Sequence, residues 1–418
     1  MTSTPPTQDP RAALRSLPRN VWVVSLTSFL TDISSEMLIN LLPLFLSGVL
    51  GVKTNVIGLI EGVAETTASL LKIVSGGLSD RLGQRKWLAV AGYGFSTVTK
   101  PLFYLVTSWG GVLGLRFADR VGKGIRTAPR DALVADSISG EHRGLAFGLH
   151  RAADTGGAMI GLLVALGVVW AAQSGAVGLT RATFQTVALL SFVPAALAVL
   201  ALALGARDVQ TTVKDKETAP VPLSSVVKGP LGTFVFIVVL FTLGNSSDAF
   251  LILRAQERGL SVVSILAMVA TFNGVYALVS GPAGALSDRV GRRRLIVGGW
   301  LMYGLIYLGF ALAGSGWQVW ALYAAYGVYY GMTEGTARAL VADLVAPEQR
   351  GAGYGLYNAA VGVTALPASV IAGLLWQGLG GWEGLGPSAP FFFGAALALL
   401  AAGLMWRSDL GQRGQVGL

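Results

Sequence analysis

Cysteine is absent from the chain, and histidine occurs only at His142 and His150. Neither a disulfide, a thiolate metal site nor a His-rich metal site can be built from such a sequence. Charge is scarce as well. Asp, Glu, Lys and Arg make up 13% of the 418 residues, against roughly 25% in a soluble domain. What fills the chain is apolar: hydrophobic residues reach 53% and the mean hydropathy is +0.62. Runs long enough to cross about 30 Å of hydrocarbon recur along the length. The 56 glycines follow no collagen-like period; between membrane helices they suit close packing and hinges.

Catalytic signatures are missing too. No nucleophile motif, CxxC or HExxH occurs, and Gly122-Lys123-Gly124 lacks the earlier glycine and the following Ser/Thr of a phosphate loop. Asn245-Ser246-Ser247 is a formal glycosylation pattern, but it falls inside an apolar run. The sequence therefore predicts no enzyme, no cofactor and no metal site.

Apolar runs place twelve spans, at 21–49, 55–79, 87–108, 111–134, 143–172, 182–204, 230–256, 261–287, 294–314, 316–342, 350–378 and 387–407. They predict an all-α integral membrane protein. Its parts are a tail at 1–20, a six-helix bundle at 21–205, a linker at 206–229, a second bundle at 230–407 and a tail at 408–418. The first stretch is polar and lacks a small-residue cleavage site, so it reads as a tail and not a signal peptide. The formal net charge of +9 does not point to nucleic acid, because the cations gather on one side of the spans. Arg11, Arg15 and Arg19, Arg81, Arg85 and Lys86, the linker, Arg289 and Arg292 to Arg294, and Arg407 and Arg413 all fall there. Only Lys53, Arg181 and Arg258 fall opposite. The positive-inside rule then puts both termini in the cytoplasm of a cell-membrane protein.

The strongest pattern is a repeat. Gly76-Gly77-Leu78-Ser79-Asp80-Arg81-Leu82-Gly83-Gln84-Arg85-Lys86 returns as Gly284-Ala285-Leu286-Ser287-Asp288-Arg289-Val290-Gly291-Arg292-Arg293-Arg294. Ala132 to Asp136 returns as Ala339 to Asp343, and Ser34-Ser35-Glu36 as Ser246-Ser247-Asp248. Internal repeats of this kind mark transporters whose substrate site lies between the halves, near the membrane midplane. The doubled motif resembles the loop Gly-x-x-x-Asp-Arg-x-Gly-Arg-Arg of the major facilitator superfamily, which follows the second and eighth helices. The resemblance implies two pseudo-symmetric six-helix bundles and alternating access.

It also implies roles. The loop aspartates Asp80 and Asp288 would cap helix starts of the opposite half near Gly351 and Gly144, since a negative charge suits a helix N-terminus. Arg81 or Arg85 would bond Asp136. With Arg289, Arg293 and Asp343, these residues would form a latch that opens and closes one side. Arg116, Gly122 and Gly124 fit the family's fourth-helix motif, Arg-x-x-x-Gly-x-Gly-x-Gly, although Arg120 replaces its first glycine and puts close packing there in question. Gly148, Gly157 and Gly161 partly fit the fifth-helix antiporter signature, with Leu162 at its proline.

Ionisable residues within spans are functional hypotheses by default. At about 100° per residue, Arg116, Arg120, Lys123 and Arg130 share one face of span 4, flanked by Arg126 and Asp119. Such a stripe must face water, acids or a substrate. The acids available are Asp32 and Glu36, Glu61 and Glu65, and Asp154. In the family, spans 1, 4, 7 and 10 line the cavity, so the resemblance places Asp32, Glu36, Arg116, Arg120, Lys123, Arg126, Asp248, Arg254, Glu334 and Arg338 on the pathway. Two readings remain open: an anionic substrate meets the cations while a carboxylate carries a proton, or the charges neutralise one another. Tyr323, Tyr326, Tyr329 and Tyr330 either line the cavity or pack between helices.

The expectation is proton-coupled export of a small anionic or amphipathic organic molecule by a monomer in the lipid bilayer. Uptake of an organic anion by proton symport is the alternative, and divalent cation export a weaker one. A multi-pass sensor or enzyme is the alternative outside transport.

Overall fold

In a computed structural model, described residues are 17–82, 84–138, 143–173, 176–209, 229–346, 349–408 and 410. Most of the expected tails and of the expected linker lie outside them, as do the side chains of Asp80, Arg81 and Arg143.

Among the described residues the chain forms twelve membrane-length helical segments: α1 (Arg19–Val49), α2 (Thr54–Leu82), α3 (Arg85–Leu102), α4 (Trp109–Asp136), α5 (Arg143–Gln173), α6 (Arg181–Gly205), α7 (Pro230–Glu257), α8 (Val262–Val290), α9 (Arg292–Leu312), α10 (Gly316–Asp343), α11 (Arg350–Gln377) and α12 (Ala389–Arg407). Eight are long and apolar enough to cross a membrane on composition alone. The others, α2, α3, α4 and α10, carry many of the interior charges and tyrosines, among them Glu61, Glu65, Lys100, Arg116, Arg120 and Tyr326. Outward-facing Leu200, Phe236, Leu278 and Leu305 stay exposed, as lipid-facing side chains would.

The starts of α1 and α9 show where the ends converge. Asn20 bonds Ser137 Oγ and the Arg207 carbonyl, each at 2.9 Å, and Arg293 bonds the Ser408 carbonyl. Described residues near both ends of the chain thus share one side of the bundle, called the terminal side below. The tight turn there uses Gly291, whose φ of 94° suits glycine.

Two spans expected to run unbroken do not. α7 is interrupted between Gly244 and Ala249. Asn245, Ser246 and Ser247 supply side-chain partners that compete with helical bonding. Ser247 Oγ accepts from Ala249 N, Ser369 Oγ accepts from Ser247 N, and Tyr303 donates to the Gly244 carbonyl at 3.1 Å. α1 turns at Asn40 and resumes as a short helix and a π-helical turn, Phe45–Val49, just after Pro43. Both breaks lie close to the repeated Ser-Ser-acid triplets.

The halves meet along α2 and α11 on the side away from the termini. A Cβ at Gly58 would lie 2.3 Å from the Ser369 carbonyl and one at Gly373 would lie 2.6 Å from Asn55 Cα, so these backbones touch. Gln377 Oε1 accepts from Thr54 N at 2.5 Å, and Asn55 donates to the Gly378 carbonyl at 2.7 Å. Ser47 of α1 donates to Gln256 of α7 at 3.0 Å. The halves are thus in direct contact on this far side.

Candidate functional site

A cavity of about 400 Å³ lies between the halves, lined by Glu36 and Asn40 of α1, Glu61 and Glu65 of α2, Arg116 of α4, Asn245 to Asp248 at the α7 break, and Phe272, Tyr323 and Tyr330. A smaller lobe of about 60 Å³ shares Glu36 and Arg116 with it and reaches Asp32, Asp119, Arg120, Lys123 and Arg126. The expected pathway residues Asp32, Glu36, Arg116, Arg120, Lys123, Arg126 and Asp248 thus converge. Their halves differ in character: charge on the first, aromatic rings on the second.

The α4 stripe is largely neutralised from α2 and α3. Arg116 meets Glu61 at 2.8 Å, both side chains buried. Arg120 meets Glu65 at 2.9 Å. Asp119 takes Lys100 at 3.2 Å and a hydrogen bond from Ser96. Arg130 binds Asp131 through two nitrogens and donates to Ser28 at 3.2 Å. Lys123 and Arg126 form no ion pair among the described residues. Arg126 stacks its guanidinium 4.4 Å from the Tyr93 ring. Glu36 accepts from Asn40 at 3.0 Å, and Asp248 accepts from Tyr326 at 3.2 Å.

Asp154 and Glu334 sit apart from this cluster, in a second inter-half cavity of about 350 Å³ nearer the terminal side. Asp154 lies 3.5 Å from His150. Glu334 meets Arg338 at 3.0 Å, and Arg151 of the first half at 3.5 Å. Arg151 and Arg338 are about half exposed, at 54% and 55%, and Lys123 is exposed also. The terminal-side cavity thus carries solvent-exposed charge between the halves.

Three corrections follow. Arg254 does not face the pathway: it is fully buried inside the second bundle and donates to the carbonyls of Phe310 and Ala311, each at 3.0 Å, at the end of α9. Arg338 points into the terminal-side cavity and not the central one. The replacement of glycine by Arg120 does not loosen α4. Gly122 still packs on α3, where a Cβ would meet the Gly92 carbonyl at 2.7 Å, and Gly124 packs on α2. The antiporter-like glycines have a packing role as well, since a Cβ at Gly157 or Gly161 would lie 2.3 Å from the Phe29 or Ile33 carbonyl of α1.

Glu61 and Glu65 are cavity residues that the pathway assignment left out, because it took spans 1, 4, 7 and 10 as the lining. Their i, i+4 spacing was the available signal. Of the tyrosines, Tyr323 and Tyr330 reach the cavity, while Tyr326 and Tyr329 pack in a buried ring cluster with Phe241, Trp300 and Tyr303.

In the loops, Arg85 Nε lies 2.6 Å from Asp136. In the second copy Arg292, absent from the expected set, takes that part and meets Asp343 at 2.9 Å and Asp288 at 3.7 Å. Asp288 is largely exposed. Arg289, Arg292, Arg293, Arg294 and Arg350 surround a surface cavity of about 730 Å³. The expected contacts of Asp80 and Arg81, and that of Asp288 with the start of α5, rest on positions whose side-chain surroundings are outside the described set.

The family model described as the Major Facilitator Superfamily matches residues 24–272 and 234–415. An uncharacterized MFS-type transporter from Methanocaldococcus jannaschii is 35% identical over 397 residues, covering 94% of this chain and 95% of the relative. The multidrug resistance protein MdtG of Enterobacter lignolyticus is 24% identical, covering 72% of each chain. Among solved structures, a D-xylose-proton symporter superposes with a TM-score of 0.76 at 14% identity, covering 95% of this chain and 99% of that one.

Proposed function

The chain belongs to the major facilitator superfamily, and from that premise we propose proton-coupled export of a small anionic or amphipathic organic molecule across the cell membrane. The protein is a membrane transporter built from two helical bundles. The reading places both termini in the cytoplasm, a single copy as the working unit, and the central cavity as the substrate site.

One observation carries the proposal: a charged cavity between the halves, with α2–α11 and α1–α7 contacts across its far side and a second cavity holding half-exposed arginines toward the terminal side. That is the arrangement a substrate entering from the cytoplasm would meet. Asp32 and Glu36 are the proposed coupling residues, because they face the cavity on α1 and neither forms an ion pair among the described residues. Arg116, Arg120, Lys123, Arg126, Asp154, Asp248 and Glu334 are the further substrate and coupling candidates. Asp80, Arg81, Arg85, Asp136, Asp288, Arg289, Arg293 and Asp343 are proposed as the gate, with Arg292 added. Similarity to the multi-drug resistance efflux pump PmrA of Streptococcus pneumoniae, 26% identical over 310 residues, supports export as a direction.

A second reading, uptake of an organic anion with protons, has its own support. Lys123 and Arg126 share a lobe with Asp32. An anion and a proton entering together leave its charge unchanged, so their binding is mutually favourable. Purified protein in proteoliposomes with an imposed pH gradient decides between them. Substrate and protons moving in opposite directions support export by exchange, and parallel movement supports symport. No substrate flux coupled to the gradient would overturn proton coupling in both.

A further inference from the structure

From Lys100 to Arg130, the cations of α3 and α4 divide into two sets. Lys100, Arg116, Arg120 and Arg130 each have a carboxylate within ion-pair distance. Lys123 and Arg126 do not, and both line the small lobe. Arg126 is 6% exposed. It forms no hydrogen bond among the described residues, and its Nη1 is enclosed without a partner. An unmade bond at a buried guanidinium is costly. Arg116 and Arg120 also leave Nε unpartnered, but Glu61 and Glu65 already balance their charge.

We propose that Arg126 and Lys123 form a subsite for an oxyanion, a carboxylate or phosphate group carried by the transported molecule. The inference rests on the central cavity being the substrate path. Tyr93 holds the guanidinium by its face, which leaves the in-plane N–H groups free. That planar fork matches two oxygens of a carboxylate or phosphate, while Lys123 adds a mobile point charge beside it. The lobe holds about 60 Å³. At about 10–15 Å³ per water, it takes roughly four waters or one oxyanion. It opens into the larger cavity past Glu36 and Arg116, where the rest of the molecule would lie against Phe272, Tyr323 and Tyr330. Asp32 and Glu36 line the same lobe, and neither comes within ion-pair distance of Lys123 or Arg126 among the described residues. The position therefore receives an anion without a resident carboxylate having to leave.

The test uses the purified full chain in detergent, titrated with inorganic phosphate, benzoate and its neutral analogue benzamide, with affinity read by calorimetry. Phosphate or benzoate should bind and benzamide should bind far more weakly. Lys123→Gln and Arg126→Gln should each weaken the anion by about tenfold or more, the loss of one charge-assisted bond. Arg126→Lys should recover part of it. Should Arg126→Gln not fold, Lys123→Gln carries the test, because its side chain is exposed. Wild-type affinity in either glutamine variant overturns the subsite, as does the absence of anion binding. A loss that follows Arg289→Gln instead assigns the anion to the surface arginine cavity and overturns it too. Flux in proteoliposomes separates the two levels. Transport of a neutral or cationic compound, unchanged in Lys123→Gln, sinks the subsite alone, whereas a chain that moves nothing sinks the reading beneath it.

Discussion

Removing either end of the Arg120–Glu65 pair should cost very different amounts. The two side chains sit 2.9 Å apart, yet Arg120 is 4% exposed and Glu65 is 44% exposed. Deleting the arginine leaves a carboxylate that water still solvates. Deleting the carboxylate charge leaves a guanidinium enclosed and unbalanced. Removing one partner of a buried pair costs about 3–5 kcal/mol, while a partly exposed ion pair is worth about 1 kcal/mol or less. Arg120→Gln should therefore destabilise by about 1 kcal/mol or less. Relief of its repulsion with Lys123 lowers that figure further. Glu65→Gln should approach the lower end of the buried range, about 3 kcal/mol, softened because the amide oxygen can still accept a hydrogen bond. In the double variant nothing is left unbalanced, so it should be more stable than Glu65→Gln alone. The Arg116–Glu61 pair supplies the control: both side chains are buried, at 4% and 6%, so either deletion should be expensive. Equilibrium unfolding in mixed micelles, run as two double-mutant cycles, reads all of this. Equal costs for Arg120→Gln and Glu65→Gln, or a coupling under about 0.5 kcal/mol, would show that the pair does not bear charge balance and would leave Arg120 free to serve as a substrate residue.

Other consequences are as accessible. Asp32→Asn or Glu36→Gln should abolish transport driven by a pH gradient while ligand binding stays measurable; retention in both moves the proton site to Asp154 or Glu65. Gly157→Ala and Gly161→Ala should each lower thermal stability by several degrees, because a Cβ there meets an α1 carbonyl at 2.3 Å, whereas Gly148→Ala, with open space around it, should not. With no native cysteine, the pair Thr54→Cys and Gln377→Cys can be oxidised without background. The cross-link should arrest transport, and continued flux would mean that the far-side contact never has to open. Asp80→Asn should lower transport and raise the population open on the terminal side in distance measurements; unchanged populations reduce the loop to a topology signal.

The architecture was legible because two independent periodicities agreed. Apolar runs fixed where helices lie, and the copied loop fixed how many belong to each half. The site was only half legible. A helical wheel puts Arg116, Arg120 and Lys123 on one face, but a face does not name its neighbour. That α4 packs between α2 and α3 is a property of the bundle, and it decides that Glu61 and Glu65 answer two of the arginines. Arg254 misled for a related reason. Its position on α7 suggested the pathway, but the broken helix turns it toward the carbonyls that α9 leaves unbonded at its end, where a cation is favourable. The break itself was written in Asn245-Ser246-Ser247, hidden by the apolar residues on either side.

Alignment of the two halves on their repeated segments places Arg120 against Gly327 and Glu65 against Asn273. At Gly327 the second half packs α10 directly on α8, where a Cβ would meet the Phe272 carbonyl at 2.8 Å. The first half fills the same place with an ion pair. Equivalent positions are thus close packing in one bundle and an ion pair in the other. The consequence for recognition is a division of labour across the cavity. On the proposed reading, a substrate's charged group would sit on the first half, where Lys123 and Arg126 form no ion pair among the described residues, and its apolar body on the second, against Phe272, Tyr323 and Tyr330. Such a molecule bridges the halves, so its binding depends on how they are arranged, and a ligand with that dependence is what shifts an equilibrium between two conformations. Moving the charge should test this. Gly327→Lys would place a cation on the aromatic side and crowd α8 at once, so it should lose anion-driven transport. Retained transport would mean that recognition does not depend on the asymmetry between the halves.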